Sequence, residues 1–144
     1  MDTATHQRFH IRSREQLQEE AGRLGLNLPL SSDISILGKT LRIGDRTAPN
    51  RFAVLPMEGF DSISNGAPGE LTFRRYRRYA AGGFGLIWME ATAVIGEGRS
   101  NPGQLYLHKD NADVFRELVT ATRKAARDQF GRDLVIVIQL THSG

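Results

Sequence analysis

The sequence predicts an α/β fold built on a parallel sheet, and three observations carry that reading. Two short apolar runs, Leu86-Ile-Trp-Met89 and Val135-Ile-Val-Ile138, are bounded by turn residues, as suits strands buried on both faces. Segments of helical period alternate with them, which gives a βαβαβ order. The connections entering these strands are short (Gly82-Gly83 and Gly131 to Asp133), whereas those leaving the first two strands are long. That asymmetry marks the carboxyl ends of the strands as the working face, because a rigid scaffold holds ligand-binding loops there.

Each element has its own signal. Ser13 and Gln16 have capping-box spacing, Leu17, Ala21 and Leu24 share one helical face, and Gly25 can end the turn, so a helix is expected over 13–24. Ile34–Leu37 and Thr40–Ile43 read as a β-hairpin turning at Gly38-Lys39. Phe52 to Leu55 is the first core strand, stopped by Pro56, which has no N–H for a sheet ladder. Met57 to Gly69 is a loop. In the helix over Glu70–Ala81, Thr72, Tyr76, Tyr79 and Ala80 face inward, and Arg74, Arg77 and Arg78 face outward. The central strand starts at Leu86 and reaches Glu90, and a loop runs from Ala91 to about Lys109. Asn111–Phe130 is the second helix, with Asp110 as its cap, Phe115, Leu118, Val119, Thr122 and Ala126 as its buried stripe, and Gly131 as its stop. Leu134–Leu140 is the third strand.

Composition narrows the function classes. The 144 residues are 40% hydrophobic and 24% charged, as in ordinary globular domains rather than disordered chains. A net charge of +3 is too small to imply a nucleic-acid partner. Cysteine is absent, which excludes disulfides and thiolate metal sites. The amino terminus, with His6, Arg8, His10 and Arg12, has no apolar signal region, and no run approaches the roughly 20 apolar residues of a membrane span. A cytoplasmic protein without membrane association is expected. Two tempting motifs fall away. Arg74-Arg-Tyr-Arg-Arg-Tyr79 resembles a nucleic-acid patch, but helical spacing turns its tyrosines inward and most of its arginines to solvent. Gly82-Gly-Phe-Gly85 precedes a strand, whereas a phosphate loop joins a strand to a helix.

A closed eight-stranded (β/α) barrel takes about 250 residues, so 144 cannot complete one. The expectation is therefore the front part of a longer barrel, about three of eight strands over 34–144, preceded by an extension over 1–33 with one helix. Self-association through the apolar edge strand is expected of such a chain.

Asn50-Arg-Phe-Ala-Val-Leu-Pro-Met57, Tyr76-Arg-Arg-Tyr-Ala-Ala-Gly-Gly-Phe-Gly-Leu-Ile87, Glu90-Ala-Thr-Ala93, Glu97-Gly-Arg99 and Gln139-Leu-Thr-His-Ser-Gly144 occur in order and at compatible spacing. Together they resemble the Old Yellow Enzyme family of FMN-dependent NADH:flavin oxidoreductases and ene-reductases, over about Leu41–Gly144. The resemblance implies a (β/α)₈ TIM barrel, FMN as cofactor, NADH or NADPH as reductant, and a small electron-poor alkene conjugated to a carbonyl as substrate. It also implies cofactor contacts at Pro56, Met57 and Glu58, at the main chain of Ala91, and at the amide of Gln139. Glu58 departs from the pattern, since relatives carry cysteine or threonine there. The catalytic and substrate-polarising groups of the family lie beyond Gly144, so no catalytic or substrate-binding residue is assigned, no metal ligand is expected, and the 144-residue chain alone is expected to be inactive. Glu90 reads as a structural carboxylate at a strand end, and His142 as a loop-packing residue. Flavin-dependent amine oxidation, dienoyl-thioester reduction and a non-catalytic barrel fragment are the alternatives.

Overall fold

The computed structural model describes residues 10–143, so His6 and Arg8 of the polar terminus and Gly144 lie outside the described residues. The chain divides between Asp33 and Ile34 into two compact units.

The first unit contains helix α1 (Arg14–Arg23), as its spacing predicts. Ser13 Oγ accepts from the Gln16 amide at 3.2 Å, and Gln16 Oε1 accepts from the Arg12 amide at 2.8 Å, a reciprocal cap displaced by one residue from the usual box. Gly25, at φ +67°, reverses the chain after the helix, a conformation that glycine adopts without steric cost. Of the residues expected on its inner face, Ala21 is buried and Leu24 is exposed.

The second unit opens with a correction. Ser35–Gly38 forms a 3₁₀ turn, and the hairpin lies further on, between β1 (Leu41–Ile43) and β2 (Arg46–Ala48). Its turn is Gly44-Asp45, with Ile43 opposite Arg46. Gly44 sits at φ +61°, as the first central residue of a tight two-residue turn requires. Two adjacent glycine turns compete in this stretch, and the second closes the register.

The sheet is parallel. Strand β3 (Ala53–Val54) pairs with β4 (Leu86–Ala93), Ala53 opposite Leu86. The same edge of β4 then takes β5 (Leu105–Tyr106), a two-residue strand inside what the sequence presents as loop. The other edge pairs along its length with β6 (Val135–Thr141). Helices α2 (Glu70–Ala81) and α3 (Ala112–Phe130) are the crossovers. The cap of α3 is Asn111 rather than Asp110. Its side chain does not cap the helix but donates to the carbonyls of Tyr106 and Asn65, at 2.8 and 3.2 Å. Gly131, at φ +64°, ends α3 as expected.

The core lies between the sheet and the two helices: Val54, Ile87, Met89 and Leu134 from the strand side, and Tyr76, Ala80, Leu118 and Ala126 from the helices. The amino-terminal end of the sheet is packed to backbone contact. Asn50 donates through Nδ2 to the Gly83 carbonyl at 2.7 Å and accepts through Oδ1 from the Phe52 amide at 3.1 Å. A Cβ on Gly85 would stand 2.5 Å from Asn50 Oδ1 and 2.6 Å from its carbonyl oxygen. Gly85→Ala is therefore expected to cost about 1–3 kcal/mol, as overpacking against a rigid neighbour does. A denaturant titration with an unshifted midpoint would show that Asn50 yields. Among the described residues, no helix is long and apolar enough to cross a membrane.

Candidate cofactor site at the carboxyl ends of the strands

Three segments meet where β3, β4 and β6 end. The first is Pro56, Met57 and Glu58, which follow β3. Pro56 and Met57 are exposed, whereas Glu58 is half-buried, with Oε2 enclosed and without a hydrogen-bond partner. The second is Ala91 in β4, 6% exposed. The third is Gln139 in β6, half-buried and directly opposite Ala91 in the ladder. The register shifts between Trp88 and Ala91, where β4 advances three residues while β6 advances two. Such a bulge re-aims side chains. Without it, Gln139 would not fall beside Ala91.

Beneath these segments lies a polar cluster centred on Glu90, which is 1% exposed. Glu90 Oε1 accepts from Arg75 Nη2 at 2.6 Å and from the Tyr76 hydroxyl at 3.2 Å. Its Oε2 accepts from the Gly59 amide at 2.9 Å, and its own amide donates to the Tyr76 oxygen at 2.8 Å. Arg75 also forks onto Asp61, Nη1 to Oδ2 at 2.6 Å and Nη2 to Oδ1 at 3.1 Å. The Thr72 hydroxyl donates to Asp61 Oδ1 at 2.6 Å. One cation thus joins two carboxylates, bidentate to Asp61 in the geometry that makes arginine pairs strong, and through Nη2 alone to Glu90.

The electrostatics follow from this packing. Burial disfavours the Arg75 cation, but the hydrogen bonds it donates to Asp61 and Glu90, with their charges, outweigh it and hold the guanidinium above its ordinary pKa. Burial, then the Glu90 charge, push the Tyr76 phenol up, so it stays a neutral donor to Glu90. For Asp61, burial raises the pKa, yet hydrogen bonds from Arg75 and Thr72 prevail and set it below the usual carboxylate range. A depressed folded-state pKa means that the unfolded chain binds the proton more readily. This stabilisation is therefore complete above the unfolded pKa of about 3.9 and is lost as pH falls through the folded value. Asp61→Asn is expected to flatten the acid limb of a stability-versus-pH curve. Parallel acid limbs for the two proteins would contradict this assignment.

The next loop is tied in as well. The Ser62 amide donates to the Gly103 carbonyl at 3.1 Å, and the Ser62 hydroxyl donates to the Gln104 carbonyl at 3.2 Å. Gln104, 1% exposed, accepts at Oε1 from the Ser100 amide at 2.8 Å and donates towards the Ala91 carbonyl at 3.4 Å. Near the end of the chain, the His142 ring lies 3.0 Å from where a Cβ on Gly98 would stand. Among the described residues, no group of three or more metal-ligating side chains is arranged to hold an ion.

Sequence reasoning missed Arg75 and Asp61. A signal for the first was present, because Arg75 shares the helical face of Thr72, Tyr76 and Tyr79 and not that of Arg74, Arg77 and Arg78. Asp61 sits in an irregular loop, where periodicity says nothing.

No protein-family profile matches the chain. Solved structures do resemble it. An old yellow enzyme homologue from Zymomonas mobilis matches at 27% identity and TM-score 0.60, over 74% of this chain. The chain's structural neighbours are Old Yellow Enzymes. Morphinone reductase, in complex with tetrahydroNAD, matches at 26% identity and TM-score 0.59, over 75% of this chain. The old yellow enzyme from Trypanosoma cruzi shares the fold at 24% identity and TM-score 0.63, over 76% of this chain. The chain spans 27–28% of the length of these three Old Yellow Enzyme structures.

Proposed function

We propose that this chain forms the flavin-binding front of an FMN-dependent oxidoreductase, in which β3, β4 and β6 are the first three strands of a (β/α)₈ barrel. The activity is transfer of hydride from NADH or NADPH, by way of the flavin, to a small electron-poor alkene conjugated to a carbonyl. The observation that carries this reading is the pairing of Ala91 with Gln139 at the strand ends, beside the Pro56–Glu58 segment, in a chain built like the Old Yellow Enzymes.

The residues present fit the cofactor. A primary amide both donates and accepts, and so matches the N–H beside C=O of a flavin's pyrimidine edge, which makes Gln139 the residue to hold it. Main-chain groups of Pro56, Met57, Glu58 and Ala91 would flank it. The enclosed Glu58 Oε2 has no partner within the described chain, and such an acceptor is ordinarily satisfied. An N–H or O–H donor of a bound molecule would satisfy it. FMN supplies the hydride chemistry when bound, and the chain supplies binding, orientation and charge. Exposed Leu55, Trp88 and Leu140 suit an interior that further strands would cover.

The reading is tested on the complete gene product loaded with FMN. NADH or NADPH should bleach the flavin absorbance under nitrogen, and a cyclic enone should restore it. Bleaching that only oxygen reverses would refute the alkene-reducing activity. Gln139→Leu should weaken FMN binding by roughly tenfold or more, since buried polar atoms left unpaired cost about 1–3 kcal/mol. Equal affinity by fluorescence titration would remove Gln139 from the site.

A further inference from the structure

We infer that Arg75 and Glu90 are positioning residues for the cofactor site: Arg75 fixes the Glu90 carboxylate, and Glu90 fixes the loop that carries Pro56, Met57 and Glu58. The inference rests on the flavin-site reading given above.

Several features converge on this loop. Its conformation is not one the chain adopts freely. Phe60 sits at φ +50°, left-handed for a non-glycine residue, and such residues persist where the surroundings over-determine them. The surroundings here are Glu90 on one side and Gly103 on the other. Glu90 Oε2 takes the Gly59 amide at 2.9 Å, next to Glu58. Gly103 lies so close that a Cβ there would stand 2.3 Å from the Phe60 carbonyl oxygen. Arg75 must come nearly into contact with the loop to reach Glu90. A Cβ on Gly59 would stand 2.4 Å from both Nη1 and Nη2, so any side chain there must displace the guanidinium.

Glu90 is also part of the β4 irregularity that sets Ala91 opposite Gln139. One buried carboxylate thus reaches two of the three segments of the site, the β3 loop through Gly59 and the β4 main chain through its own position. With its own oxygens engaged by Arg75, Tyr76 and Gly59, it acts through what it holds.

The experiment uses the complete gene product and three variants: Glu90→Ala, Gly59→Ala, and Leu118→Ala as a core lesion that removes none of the loop's hydrogen bonds. Each is measured for thermal midpoint, FMN affinity by fluorescence quenching, and amide exchange in peptides spanning 56–62 and 112–130. Glu90→Ala is expected to speed exchange over 56–62 by tenfold or more relative to 112–130, and to weaken FMN binding by tenfold or more. Glu90→Gln, which keeps an acceptor for the Gly59 amide, should recover part of both losses. Leu118→Ala should lower the midpoint while leaving FMN affinity within about twofold. Where Glu90→Ala fails to fold, Gly59→Ala carries the test, with the same two changes expected from displacement of Arg75.

Loop exchange unchanged in the folded variants, or an FMN loss no larger than that of Leu118→Ala, overturns the inference. A wild-type protein that binds no FMN refutes the flavin reading instead. In that case the exchange data still decide whether Glu90 holds the loop.

Discussion

Arg75→Met should destabilise the protein by about 3–5 kcal/mol, the cost of removing one partner from a buried ion pair. The cation is the shared counter-charge of Glu90, 1% exposed, and of Asp61, whose side chain is 13% exposed. Its removal leaves two carboxylates without their shared counter-charge, held by neutral donors such as the Tyr76 and Thr72 hydroxyls and the Gly59 amide. Methionine matches the aliphatic stem, so the loss reports charge rather than volume. The Arg75 side chain is 21% exposed, and some water reaches the cluster, which places the effect towards the lower end of that range. Adding Glu90→Gln should restore part of the loss, because the deeper unpaired charge is then gone. Urea unfolding at neutral pH measures all three proteins. A loss below about 1 kcal/mol is the behaviour of a surface pair, and would mean that the cluster is solvated in solution.

Glu58→Gln should raise the midpoint potential of the bound flavin. At the proposed site, a carboxylate beside the ring system would oppose the negative charge that accumulates on two-electron reduction. At an effective dielectric of about 20, a unit charge several ångströms away contributes on the order of 2 kcal/mol. For a two-electron couple this is roughly 40 mV. Glutamine conserves shape and an acceptor oxygen, so the shift isolates charge. Dye-equilibrated reductive titration of the FMN-loaded gene product reads it directly. A midpoint that stays in place or falls would show that Glu58 does not act on the flavin by charge.

What the sequence revealed and what it hid divide along a physical line. Helix α2 matches its predicted bounds at both ends, because Thr72, Tyr76 and Ala80 repeat at the helical period and glycines close the segment. The stripe Phe115, Leu118, Thr122 and Ala126 of α3 is buried for the same reason. These signals are local. The hairpin was misplaced because Gly38-Lys39 and Gly44-Asp45 both look like tight turns, and the choice depends on where the following strand enters the sheet. Strand β5 was invisible, since two residues carry no periodicity. The Glu90 cluster was legible only in part. A strand-end carboxylate capping nearby backbone is what Glu90 does for the Gly59 amide. Its cation, however, comes from 15 residues earlier on another element, and a charged residue in a basic helix reads by default as solvent-facing. The bulge that brings Gln139 beside Ala91 is a property of two strands together.

The most direct measurement is titration of the complete gene product with FMN, following quenching of flavin fluorescence in parallel with the Gln139→Leu variant. Saturation at one flavin per chain, with affinity reduced roughly tenfold or more in the variant, is the predicted result. Flavin fluorescence that stays unquenched at all protein concentrations would contradict the cofactor site proposed for the carboxyl ends of β3, β4 and β6.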